Sequence, residues 1–338
     1  MIDFVAGETH FLDHLYPIWA ALPEDARGHI YLARTHAQGH EAESLLRHAL
    51  LHDYQGCVPY GDRDALLREL RLRRGLIVTA SVNNAHYAAR SGRPLVFCEH
   101  GAGQTYIGNQ ASYAGGKHRE GVALFLCPNQ AVADRNLAAY PRIPAVVVGC
   151  PKLDKWHRRK PKARGEAPVI AVGWHWDCRV NEETRWAFPY YRDYLARLSV
   201  LGPVLGHGHP RAWDRLGGIY PSLGIEPVQD FEDILRRADV YCCDNSSTLF
   251  EFASLNRPVV VVNAPWYRRT HEHGLRFWEA ATVGVQVEHP GALNWGVKQA
   301  LLDPPEQQEA RRAGVALAYA YADGHAAERA AAAILALE

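Results

Sequence analysis

The chain has 338 residues, of which 37 are Lys or Arg, 37 are Asp or Glu and 18 are His; 48% of it is apolar and 22% charged. That composition excludes a disordered, collagenous or coiled-coil chain, and its balanced charge lacks the field of a non-specific nucleic-acid binder. At roughly 150 residues per domain the length predicts two domains, and no apolar run approaches the ~18 residues a membrane span needs.

The amino terminus, Met1 to Ala6, carries an early acid and no basic stretch, unlike a signal peptide. Apolar runs predict strands at Ile2–Ala6, His29–Arg34, Leu76–Ala80, Leu95–Cys98, Val122–Cys127 and Ala145–Gly149. After a break they resume at Val169–Gly173, Val204–Gly206, Val240–Cys243 and Val259–Val262. Several are β-branched throughout, without polar alternation, as in parallel strands covered on both faces. Helical patterns lie between them, at His10–Leu22, Ala42–His52, Ala65–Arg73 and Glu182–Leu198. The alternation predicts an α/β chain with two Rossmann-type domains facing each other across a cleft.

The break, Pro151–Pro168, is rich in Lys, Arg and Pro and nearly free of aliphatic residues. It reads as a solvated basic linker at 151–168 between an amino-terminal domain at 1–150 and a carboxy-terminal domain at 169–315. An Ala-rich helical tail at 316–338 is expected to pack back on the first domain. The seven cysteines, at 57, 98, 127, 150, 178, 242 and 243, are odd in number and lack CxxC spacing. They read as reduced thiols of a cytoplasmic protein rather than as zinc ligands.

Ligands of open parallel sheets bind at the carboxyl ends of the strands, so the polar residues directly after each apolar run are the candidates. Phe97-Cys98-Glu99-His100-Gly101-Ala102-Gly103 puts His100 at a strand end as a candidate general base. Gly101 and Gly103 leave backbone open to a ligand, as does Gly149 at the end of its run. Gly206-His207-Gly208-His209-Pro210-Arg211 places His209 and Arg211 where phosphate would sit, although H-x-H also fits a metal pair or a plain turn. Asp244-Asn245-Ser246-Ser247-Thr248 opens a helix after a buried strand. Its hydroxyls and N–H groups make an anion site, and Glu251 lies one turn on, within reach of a ribose. Thr248-x-x-Glu251 also fits a capping box. Trp174-His175-Trp176 would stack a base or a sugar, or cover the sheet. Asp62-Arg63-Asp64 reads as a helix cap, and His271-Glu272-His273-Gly274 as cleft or loop. No set of residues here calls for a metal.

Four of these segments together resemble the CDP-glycerol glycerophosphotransferases of teichoic acid synthesis, which have the GT-B fold. They are His100-Gly101, Gly149-Cys150-Pro151-Lys152-Leu153-Asp154, His209-Pro210, and Asp244-Asn245-Ser246-Ser247 with Phe250-Glu251. Asn245 and Glu251 stand where that family has Tyr and Asp. The resemblance implies a metal-independent transferase without a cofactor. A nucleotide diphosphate donor, CDP-linked before UDP-linked, would be held by Ser246, Ser247 and the acid of the second domain. His100 would deprotonate the hydroxyl of a glycan or polyol acceptor, and His209 would stabilise charge on the diphosphate. Peripheral membrane contact is left open. The alternatives are a UDP-sugar glycosyltransferase, a sugar-nucleotide 2-epimerase, and a nucleotide-sugar-binding protein with a degenerate site.

Overall fold

The computed structural model describes residues 1–337 apart from 38, 103–114, 161, 163–164, 166, 180–184, 245 and 268–280. Its described residues form two compact units, one from residues 1–102, 115–158 and 319–337, the other from 159–318.

The first unit holds seven strands: β1 (Ile2–Ala6), β2 (Arg27–Ala33), β3 (Cys57–Tyr60), β4 (Ile77–Thr79), β5 (Leu95–Cys98), β6 (Val122–Cys127) and β7 (Ala145–Val147). All pair in parallel, in the order β3-β2-β1-β4-β5-β6-β7. The order reverses direction between β1 and β4, the switch point at which such sheets open a crevice. Apolar residues of β1 serve both faces. Phe4 lies in one core with Leu12, Leu15 and Ile18 of the helix Thr9–Ala21 and Ile334 of the last helix. Val5 lies in the opposite core with Leu66, Leu67 and Leu70 of the helix Arg63–Leu72. Two covered faces explain runs without alternation, and each such side chain contributes about 1.5–3 kcal/mol on burial.

One acid interrupts β1. Asp3 is fully buried and accepts from Arg73 Nε at 2.9 Å, Arg93 Nη1 at 2.8 Å and the His29 N–H at 2.9 Å. The pairing ties three distant segments to the start of the sheet.

The second unit holds β8 (Ile170–Trp174), β9 (Val204–Gly208), β10 (Glu226–Pro227), β11 (Val240–Cys243), β12 (Val259–Val262) and β13 (Val285–Val287). They too are parallel, in the order β10-β9-β8-β11-β12-β13, with the switch point between β8 and β11. Ile170, Val172 and Trp174 of β8 pack against Phe188, Tyr191, Leu216 and Val297.

The expected linker does not run extended and solvated from its first residue. Pro151–Leu153 is a short 3-10 helix continued by the helical turn Asp154–His157, and Leu153 and Trp156 are buried. Its apolar residues, few as they are, are enough to pack it onto the first unit. The Ala-rich tail is two helices. Pro305–Ala318 belongs to the second unit, and Ala326–Leu335 covers β1's face of the first. Gly149 lies against this tail rather than facing a ligand. Its φ is +91°, and an added Cβ would sit 3.3 Å from Ala326 Cβ and Tyr321 O. Among the described residues no helix is long and apolar enough to cross a membrane.

Candidate functional site

The carboxyl ends of β9, β8 and β11, side by side at the second switch point, carry the candidate donor residues. His175 follows β8 and His209 follows β9, with their rings 5.4 Å apart. Trp176 lies beside His209, and the Arg211 guanidinium sits over the Trp176 ring at 5.1 Å. The two imidazoles are set in opposite senses. His209 caps the 3-10 helix Pro210–Ala212, its Nδ1 accepting from the Arg211 N–H at 3.2 Å, so in the neutral ring the proton is on Nε2. His175 Nδ1 lies 3.1 Å from the Trp176 carbonyl, which only an N–H satisfies, so its Nε2 is an acceptor. Burial lowers the His175 pKa to about 4, against the hydrogen bond to Trp176 and helped by the Arg211 charge. This end of the sheet therefore offers one imidazole donor, one imidazole acceptor, a guanidinium and an indole face.

Ser247 is the N-cap of the helix Thr248–Ala253. Its side chain makes no capping bond and is half-buried. Ser246 is buried, and its Oγ accepts from Thr248 Oγ1 at 2.9 Å; Thr248 Oγ1 also lies 3.0 Å from the Tyr241 hydroxyl. Ser246 and Thr248 thus bond each other, whereas Ser247 makes no capping bond.

Several sequence expectations need correction. Asp244 is fully buried and accepts the His175 N–H at 2.9 Å and the Ala187 N–H at 3.1 Å. It fastens the segment after β8 to the end of β11 instead of presenting a carboxylate to a donor. Glu251 is 2% exposed and lies inside the helix rather than at a ribose, and with Ser247 as N-cap the Thr248–Glu251 capping box is absent. Trp174 ends β8 pointing into the core, where it packs on Phe188 and Tyr191. His207 is buried with Nδ1 3.1 Å from the Val228 carbonyl, which removes it from any pair with His209. Asp62 caps the helix Arg63–Leu72 through the Asp64 N–H, as read. Asn245, Gly103 and His271-Glu272-His273-Gly274 lie outside the described residues.

In the first unit His100 follows β5 and Gly101 takes a left-handed φ of +77°, the turn that frees the ring from the strand. The His100 side chain reaches the surface, with the Phe11 ring edge-on at 4.7 Å and His10 and His14 at 5.8 and 6.4 Å. Desolvation by this surrounding lowers its pKa to about 4, opposed by a hydrogen bond to the Ala80 carbonyl and by the Glu8 charge. The carbonyl takes an N–H, so the second nitrogen of the neutral ring keeps its lone pair, as a general base requires.

The sequence reading missed the residues around this ring. Glu8, just after β1, is 1% exposed, with His36 Nε2 at 3.1 Å and His10 Nδ1 at 3.6 Å. Gly7-Glu8-Thr9-His10 does follow an apolar run, the same signal that flagged His100. Asp154 of the Gly-x-Pro segment accepts the N–H groups of Ala326 and Ala327 at 3.0 and 2.7 Å, so it anchors the last helix. Among the described residues no group of three or more His, Cys, Asp or Glu has a metal-holding arrangement.

No curated protein matches the chain in sequence. Among solved structures, a variant of the wall teichoic acid polymerase TagF soaked with CDPG superposes with a TM-score of 0.67 at 12% identity, over 99% of this chain and 88% of that one. The putative UDP-N-acetylglucosamine 2-epimerase of Listeria monocytogenes gives 0.64 at 16%, over 99% and 96%. S. aureus MnaA with UDP gives 0.62 at 14%, over 97% and 94%. At such identities the likeness is one of fold, an α/β, GT-B-like chain with two Rossmann-type sheets. Residues 223–336, which include the segment from Asp244 to Glu251, match the family model of CDP-Glycerol:Poly(glycerophosphate) glycerophosphotransferase.

Proposed function

We propose that this chain is a transferase that moves a glycerophosphate or glycosyl group from a nucleotide-diphosphate donor to an acceptor hydroxyl. A CDP-linked polyol is the first donor. The acceptor is a hydroxyl-bearing glycan or polyol, and the reaction uses neither metal nor cofactor. The observation that carries the reading is the grouping of His175, His209, Arg211 and Ser247 at one switch point. His209 Nε2–H and the Arg211 guanidinium suit diphosphate oxygens, the Ser247 hydroxyl at a helix start suits a phosphate, and the Trp176 face suits a base. The family match over residues 223–336 favours the CDP-linked donor. His100, held neutral with a lone pair available, takes the acceptor proton. Nucleotide-activated donors assign the reaction to the cytoplasm, with peripheral contact at a membrane for a lipid-borne acceptor.

A UDP-sugar reaction is the second reading, favoured by the epimerase and UDP-bound neighbours in fold. A thermal-shift series with CDP, UDP, GDP and their conjugates separates the two. A ligand at 100-fold over its Kd stabilises by about 2.7 kcal/mol. The expected result is stabilisation by CDP and CDP-glycerol above the others, followed by transfer that survives EDTA. Preference for UDP-sugars selects the second reading, and indifference to every nucleotide removes both.

A further inference from the structure

His175 stands apart from the other polar groups of the candidate donor site. The His209 N–H, the Arg211 guanidinium and the Ser247 hydroxyl are donors, as phosphate oxygens demand. His175 offers the opposite. Its Nδ1 lies 3.1 Å from the Trp176 carbonyl, so Nδ1 carries the proton and Nε2 a lone pair. Burial and the Arg211 charge hold the ring neutral. Among the described residues the ring makes no second hydrogen bond, and the residue is partly exposed. An imidazole lone pair repels phosphate oxygens, so the ligand group that meets it is an O–H or an N–H.

The place of the ring identifies that group. Its centroid lies 5.9 Å from that of Trp176 and 5.4 Å from that of His209, and those two are 6.3 Å apart. A nucleoside diphosphate with its base on Trp176 and its phosphates at His209 and Arg211 lays its ribose between them, because the ribose joins the two. His175 stands there. The 2′ and 3′ hydroxyls of a ribose are O–H donors, the complement of a neutral Nε2. Glu251, the acid expected at the ribose, is 2% exposed inside its helix, which leaves the hydroxyls to another acceptor. The ring is also held in advance. The His175 backbone N–H donates to Asp244 Oδ1 at 2.9 Å, and the bond from Nδ1 to the Trp176 carbonyl fixes the rotation of the side chain. An acceptor ordered before the ligand arrives loses little freedom on binding.

We infer that His175 is the residue by which this site selects a ribonucleotide: its Nε2 accepts a hydrogen bond from a ribose hydroxyl of the bound nucleoside diphosphate. His175 has this role only on the transferase reading, which puts a nucleotide at this end of the sheet. The sugar of the nucleotide is then read there as well as its base and phosphates. A 2′,3′-dideoxynucleotide leaves the Nε2 lone pair without its donor.

Calorimetric titration of the full-length protein with CDP, 2′,3′-dideoxy-CDP, UDP, 2′,3′-dideoxy-UDP and inorganic pyrophosphate tests this. The wild type should bind a ribonucleotide about 2- to 10-fold more tightly than its dideoxy form, the span of one neutral hydrogen bond. His175→Asn keeps an N–H for the Trp176 carbonyl and lacks the far acceptor. It should bind the two forms alike, at the wild-type affinity for the dideoxy form. His175→Gln, whose side-chain oxygen reaches the place of Nε2, should restore part of the preference. His175→Phe keeps the ring volume without an acceptor and carries the test should Asn prevent folding. Pyrophosphate binding should not change in any variant. A preference for the ribo form that persists in His175→Asn and His175→Phe overturns the inference and leaves the transferase reading standing, as does a wild type indifferent to the hydroxyls. Equal loss of pyrophosphate and nucleotide by the variants also overturns it and assigns the ring to the phosphates. A wild type that binds none of the nucleotides overturns the transferase reading, and the role of His175 with it.

Discussion

The carboxylate of Asp154 accepts the backbone N–H of Ala327 at 2.7 Å, and that of Ala326 at 3.0 Å. A side chain from the end of one sheet thus supplies the missing acceptors at the start of the last helix. Its neighbours reinforce the junction: Arg329 Nε donates to the Val148 carbonyl at 3.0 Å, and Gly149 leaves room for Ala326. Replacing Asp154 by Ala is expected to cost about 1.5–3 kcal/mol, the usual loss for hydrogen bonds to a charged group. Urea unfolding gives the cost. Hydrogen exchange should show residues 326–335 opening first, and unaltered protection there would mean the helix is held by its apolar face alone.

Ser247 and Ser246 are adjacent but unequal. The Ser246 hydroxyl is committed to Thr248, whereas Ser247 makes no capping bond. Ser247→Ala should weaken nucleoside diphosphate binding by about 10- to 150-fold, equivalent to 1.5–3 kcal/mol, and leave the bare nucleoside unaffected. Ser246→Ala should instead lower stability while affecting both ligands alike. Calorimetric titration of the two variants with both ligands checks this, and equal behaviour of the two serines would remove the phosphate assignment.

Asp244 should separate structure from binding in the same region. With both oxygens used by backbone N–H groups, Asp244→Ala leaves the buried Ala187 donor and the part-buried His175 donor without these acceptors, at about 1–3 kcal/mol for the buried one and less for the other. Asp244→Asn keeps one acceptor oxygen and should cost less. Both should displace His175 and so weaken nucleoside and diphosphate in proportion, measured by unfolding and by titration. Loss confined to the diphosphate would return Asp244 to the ligand.

Buried histidines should make the fold sensitive to mild acid. Desolvation lowers His157 and His175 from 6.5 to about 4, and holds His14 well below its ordinary value. The unfolded chain then binds more protons than the native one between about pH 4 and 6.5. Their contribution is complete above pH 6.5 and is lost as pH falls toward 4. The urea midpoint should decline over that window, and His157→Gln should flatten part of the decline. A midpoint constant from pH 7 to 4.5 would contradict these environments.

The central strands were readable because both of their faces are covered. Leu95–Cys98 and Val259–Val262 came out with their observed bounds. The three strands the sequence hid are all sheet edges. Cys57–Tyr60 carries Pro59, Glu226–Pro227 is two residues long, and Val285–Val287 has Gln286 in its middle. An edge strand has one partner and need not be apolar throughout. The places of His209 and Ser247 just after buried strands were legible because a polar residue after a buried run has few other places to go. Trp174 and Asp244 obeyed the same rule yet turned inward, which depends on the register with β9 and the segment at Ala187. The pairing of Glu8 with His36 joins the ends of two different strands, and no local spacing encodes it.

Among the described residues the second unit lies wholly within 159–318, while the first is assembled from residues on both sides of it. Synthesis from the amino terminus therefore releases the whole of the six-stranded sheet before the helix Ala326–Leu335 leaves the ribosome. Until then Phe4, Leu12 and Ile18 lack part of their cover, so the seven-stranded sheet, although begun first, is the last to mature. A released chain truncated near residue 320 should hold a finished second unit together with a seven-stranded sheet still accessible to chaperones and proteases.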